Sequence, residues 1–196
     1  MNRGSQALVS KTMTRRCARL GVVLILLVGS APAWAQTVAP ALRAAVLVSA
    51  LGYEQSIRDG EGPIRLVIVS DAAGQRDGDA MLDAFRGIAS RARLAGRAIQ
   101  LRRVNFAGDV QAALRGSPHV VYIANGTQPA NARQIIDRMS QGQVAVCGDG
   151  GLSAVGCALG VEAHANRARP VIAVGTARQR GLSFQGRLLR SSRVIP

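Results

Sequence analysis

Large rings are scarce in this chain: one Trp, two Tyr and three Phe make up 3% of it. That excludes a core built on stacked aromatics, and it removes the ring platforms on which single-stranded nucleic acids lie. Lysine is scarcer still. The one Lys is Lys11, and every basic residue after position 35 is Arg, which rules out lysine nucleophiles, Schiff bases and the P-loop. The two histidines, His119 and His164, have no i,i+4 partner and no Cys-x-x-Cys nearby. They read as structural or exposed residues, and no metal or other cofactor is expected.

What remains is aliphatic. Apolar residues are 48% of the sequence, so the core must be Val, Leu, Ile and Ala, as in a sheet buried on both faces. A length of 196 residues fills one domain without staples. The formal charge of +14 is inflated by the N-terminus. Five of the 25 basic residues fall within the first 35 positions, and the other 20 face 11 acids, a net of +9. These arginines are scattered and form no stripe, so nucleic acid is not an expected partner. A basic surface of this kind favours anionic partners.

The N-terminus has the layout of a secretory signal. Arg15, Arg16 and Arg19 precede the apolar run Leu20–Val28, followed by a small-residue site at Ala33-Trp-Ala35. The run is shorter than the roughly 20 residues of a membrane span. Cys17 lies before it, where it cannot anchor a lipid. The expectation is cleavage after Ala35, with 1–35 as signal peptide and 36–196 as the exported, periplasmic domain; Met13 is an alternative start.

The mature chain alternates strands and helices. Val38–Ser56 reads as helix, with Leu42, Ala45, Val46, Ser49 and Tyr53 down one face. Ile64–Val69 is a strand apolar enough to be buried on both sides. Asp79 caps a helix carrying Leu82, Phe85 and Ile88, and Ala98–Val104 is a strand near an edge. Asp109–Arg115 is a short helix and His119–Ala124 a third strand. Thr127 caps a helix with Pro129 in its first turn, and Gln143–Cys147 is a fourth strand. A Gly-rich turn leads to a fifth strand, Cys157–Glu162, which turns through Asn166 and Arg167 into Pro170–Val174. Thr176–Arg180 is a helical turn closed by Gly181 as a left-handed cap. Gly186–Arg193 forms a helical tail, with Leu188, Leu189 and Val194 on its apolar side. The predicted fold is α/β: a single three-layer domain, with a mostly parallel sheet of five or six strands, an antiparallel edge hairpin and helices on both faces.

The C-terminal order of residues, Thr176-Ala-Arg-Gln-Arg-Gly-Leu-Ser-Phe184, then Arg187-Leu-Leu-Arg190 and Arg193-Val-Ile195, resembles the YfiR family of periplasmic YfiR/HmsC-like regulators. Gly175 departs from it, standing where the family usually has Asn. The likeness extends at lower specificity from Ala41 to Ile195. It implies a protein that contacts the outward-facing part of an inner-membrane signalling protein, a diguanylate cyclase or sensor kinase, and holds it inactive. It also implies the capacity to form a homodimer. Leu182, Phe184, Leu188 and Leu189 are the candidate partner-binding residues.

Two cysteines, Cys147 and Cys157, remain in the mature chain and bracket the Gly-rich turn. In an oxidising compartment a disulfide closing that loop would contribute roughly 2–3 kcal/mol; two buried thiols are the alternative. The resemblance points to the bond, since the YfiR repressor carries disulfides. Asp71, Asn125 and Asp149 follow the ends of predicted parallel strands, where α/β folds take ligands. They define the competing reading, a small-molecule sensor or carrier built like half of a solute-binding protein. Ser153 is one residue out of step with a hydrolase elbow. No nucleophile–base pair is visible, and no enzymatic activity is expected.

Overall fold

A computed structural model describes residues 38–148, 155–165 and 167–196. The predicted signal segment, Asp149, Ser153 and Asn166 lie outside the described residues. Among the described residues fourteen elements follow in order: helices α1 (Pro40–Leu51) and α2 (Gln55–Asp59), strand β1 (Ile64–Ser70), α3 (Gln75–Ala89), β2 (Ile99–Asn105), α4 (Val110–Leu114), β3 (Val120–Ile123), α5 (Pro129–Asp137), β4 (Val144–Cys147), β5 (Leu159–His164), β6 (Arg167–Ala173), α6 (Val174–Gln179), α7 (Gly186–Ser191) and β7 (Arg193–Ile195).

The strands make one seven-stranded sheet in the order β2-β1-β3-β4-β5-β6-β7. The first five run parallel; β6 turns back against β5, and β7 lies parallel to β6. Period-two alternation divides the core. Leu66, Ile68, Val120, Tyr122, Val144 and Val146 face a layer holding Leu47 and Leu51 of α1 and Met81 and Phe85 of α3. Val67, Val69, Val121, Ile123 and Ala145 face the other layer, with Ala113 of α4 and Ile135 of α5. Continuous aliphatic strands are what a sheet covered on both sides requires.

Five details differ from the sequence reading. The sheet has seven strands, because the tail ends in a strand: Arg193–Ile195 pairs with Val171–Ala173, a segment too short for a pattern to betray. The first helix breaks at Gly52 and restarts after Glu54, whose side chain caps α2 by accepting from Ile57 N at 2.9 Å. Helix α3 begins at Gln75, four residues before Asp79, so Asp79 pairs with Arg103 instead of capping. Thr127 does not cap either, since α5 begins at Pro129 behind Gln128.

The fourth helix-level surprise concerns α1. Its buried side is Arg43, Ala44, Leu47, Ala50 and Leu51. The stripe that periodicity singles out, Leu42, Ala45, Val46, Ser49 and Tyr53, is the exposed or half-buried one. The helix is apolar nearly all round, and its one charge points inward.

Candidate functional site

Strand order reverses between β1 and β3, and the crevice beyond their carboxyl ends is where open α/β sheets usually bind ligands. Here the protein's own groups occupy it. Asp71 follows β1 and is buried. Its Oδ1 accepts from Ala73 N and Gly74 N, both at 3.1 Å, and its Oδ2 accepts from Gln128 N and Asn131 Nδ2, both at 2.8 Å. Burial pushes its pKa up, but these four donors, Gln128 first, outweigh it and hold the carboxyl below its usual range. Asp71 thus staples the β1–α3 loop to the start of α5.

Beside it lies a buried charge network that the sequence reading did not identify. Arg43 reaches from α1 into the core, donating to Asp77 Oδ1 at 2.6 Å, to the Tyr122 hydroxyl at 2.9 Å and to the Val38 carbonyl at 3.0 Å. Asp77 Oδ2 accepts from the Tyr122 hydroxyl at 3.0 Å and from Asn125 N at 2.8 Å. Burial and the neighbouring Asp77 raise the Tyr122 pKa far above the usual phenol value, so it stays neutral, and its ring meets Phe85 edge-to-face at 5.8 Å. The legible signal was a lone Arg in an apolar helix, together with a lone Tyr in an apolar strand.

Cys147 and Cys157 are joined in a disulfide, with Cα atoms 5.9 Å apart. The next residue, Gly148, is pressed against this network: a Cβ there would collide with Asn125 Oδ1 and the Tyr122 hydroxyl. Disulfide, Gly148 and charge network therefore meet at the strand ends. Of the predicted pocket residues, Asp71 lies beside this unit with its carboxylate held by four donors, and Asn125 joins it through its backbone N–H to Asp77.

The tail is fixed by a second buried acid. Glu54, 1% exposed, accepts from Ser183 N at 3.3 Å through Oε1 and from Ser56 Oγ and Ile57 N through Oε2. Backbone bonds Gln55 N to Ser183 O and Gln185 N to Tyr53 O complete the clamp. Gly181, at φ +68°, closes α6 as predicted. Of the four candidate partner-binding residues, Leu182 and Leu188 are buried in the core, at 5% and 4% exposed. Phe184 and Leu189 are half-buried against the same core.

What the tail leaves open is a groove of about 550 Å³ between α1, β6 and α7. Ala45, Val46, Ser49 and Tyr53 line one wall, and Pro170, Arg187, Leu188 and Ser191 the other. No group of three or more His, Cys, Asp or Glu able to hold a metal occurs among the described residues. His119 Nδ1 accepts from Arg65 N at 3.0 Å, and burial, then Arg65 and Arg97, lower its pKa. His164 is exposed on β5. None of the described helices is long and apolar enough to cross a membrane.

The fold and site define a three-layer α/β domain whose strand-end carboxylates, Asp71 and Asp77, are held by the protein's own donors and whose last elements wrap back over the first helix. The chain belongs to the YfiR/HmsC-like family, whose model matches residues 40–193. No curated protein matches it. Among solved structures it is similar to the ABC domain from Streptococcus pneumoniae crystallised with L-Trp, at TM-score 0.54 and 8% identity, over 80% of this chain and 62% of that one. At that identity the likeness concerns the fold; the chain spans about three-fifths of that structure's length.

Proposed function

We propose that this protein is exported through its N-terminal signal to the periplasm, where it binds and restrains an inner-membrane signalling protein, a diguanylate cyclase or sensor kinase. Membership of the YfiR/HmsC-like family across 40–193 carries this reading. The intramolecular disulfide is in keeping with an oxidising compartment. With no lysine after position 35, lysine-based catalysis has no residue to use, and this reading takes association as the mode of action. Restraint requires tighter binding to the partner's inactive state than to its active one, since equal affinity shifts nothing. Solubilised membranes passed over the tagged mature chain should yield a protein with a periplasmic segment and a cytoplasmic signalling domain. Deletion of the gene should raise that protein's output. Failure to recover such a partner, with unchanged output, contradicts the proposal.

A small-molecule sensor is the second reading. Ser70 Oγ, at the end of β1, and Thr127 Oγ1, beyond β3, are buried without partners among the described residues, and they lie at the strand ends near Asp71 and Asn125. A thermal-shift screen of amino acids and other small metabolites tests it: a specific rise in melting temperature supports a pocket there, and a flat response rejects it.

A further inference from the structure

The exposed face of α1 is unusual for a chain with 18% charged residues. From Pro40 to Leu51 the only charged side chain is Arg43, and it is buried. Leu42, one of two strongly exposed large hydrophobic residues among the described ones, lies on the solvent side at 48%. This face forms one wall of the α1–β6–α7 groove.

The other wall continues into a basic region. A second depression of about 480 Å³, lined by His164, Arg167, Arg169, Pro170 and Ser191 among others, shares Pro170 and Ser191 with the groove. After Glu162 the chain has seven arginines and no acid. Glu162 already holds two of them, Arg169 and Arg193, the latter at 2.7 Å. Arg167, Arg187 and Arg190 have no carboxylate partner among the described residues.

We propose that this continuous groove docks an acidic, amphipathic segment of the membrane partner, with apolar side chains against Val46 and Tyr53 and carboxylates on Arg187 and Arg167. The inference rests on the regulatory reading and adds the chemistry of what is recognised. A charge-free wall beside unpaired guanidinium groups is complementary to apolar and anionic side chains presented together. A second copy is disfavoured, because two-fold pairing brings the same arginines face to face. Strand addition is disfavoured as well. The outer edge of β6 from Arg167 to Pro170 has no neighbouring strand, because β7 covers only Val171–Ala173, but Pro170 offers no N–H there. The segment docks by its side chains.

The test uses the full chain in the cell that makes it. A photo-crosslinking residue replaces Val46, Ser49 or Arg187 in the groove, or Gln111 or Arg138 on the opposite layer. The groove positions should crosslink to one inner-membrane protein, at a segment where acids flank apolar residues. Arg187→Glu, read with the probe at Ser49, should cut the yield about tenfold, equivalent to about 1.4 kcal/mol, and an acid-to-Arg change in the mapped segment should restore it. Crosslinks to a membrane protein from Gln111 or Arg138 alone overturn the groove and leave the regulatory reading standing. No membrane-protein crosslink from any position overturns both. Groove-to-groove crosslinks between copies, or a yield indifferent to Arg187→Glu, overturn the acidic-segment proposal.

Discussion

The two places where this fold could receive another molecule are built in opposite ways. At the strand-end crevice each prominent charge is answered internally: Arg43 by Asp77 and Tyr122, Asp71 by four donors. In the groove between α1 and α7, one wall is uncharged and the other presents Arg187, which has no carboxylate partner among the described residues. The comparison teaches that position in a fold does not fix use. The crevice spends its carboxylates on internal bonds, whereas the groove presents Arg187 where the tail returns to the first helix.

Substitutions at the two places should therefore separate stability from binding. The largest loss of stability is expected from Asp77→Ala, which leaves the buried Arg43 guanidinium without its counter-charge. Urea unfolding should show a loss of about 3–5 kcal/mol. The pair Arg43→Met with Asp77→Leu should recover much of it, because no lone charge then remains inside; an Asp77→Ala protein as stable as the parent would break the comparison on the crevice side.

Next in size is the disulfide. Replacing both Cys147 and Cys157 by Ser reopens a loop with a sequence separation of 10. This should cost roughly 2–3 kcal/mol by loop-closure entropy, read in the same unfolding experiment. Equal stability of the two proteins would mean that the packed turn at Gly148 holds itself without the bond.

A smaller effect should appear with pH. The Asp71 carboxyl titrates lower in the folded chain than its ordinary value of 3.8. The unfolded chain therefore takes up its proton first as pH falls. The stabilisation is fully present above about pH 4 and is lost as pH falls through the folded value. Asp71→Asn should flatten that part of the stability–pH curve; a curve of unchanged slope would show that its four hydrogen bonds do not discriminate between the two protonation states.

The sequence made the layers and most of the strands legible, because aliphatic runs such as Ile64–Val69 have one good interpretation in a sheet covered twice. It also placed Gly181 and the Cys147–Cys157 pair. It misled at α1, where an all-round apolar helix has no amphipathic contrast, so periodicity selected Leu42, Ala45 and Val46 although the core takes Ala44, Leu47 and Leu51. The site was harder still. Arg43, Asp77 and Tyr122 are 34 and 45 residues apart along the chain, and no local spacing announces a network assembled only by tertiary packing. Leu182 and Leu188 looked available for a partner because a short amphipathic tail gives no sign of which structure will cover it.

The account is tested most directly by measuring two quantities on Arg187→Glu: its melting temperature, and the amount of inner-membrane partner it recovers. As an exposed side chain with no carboxylate partner among the described residues, Arg187 should leave stability within about 0.5 kcal/mol, or about 1–2 °C, while recovery falls about tenfold, the loss of about 1.4 kcal/mol of binding. Unchanged recovery at unchanged melting temperature would contradict the claim that this groove is where the protein meets its partner.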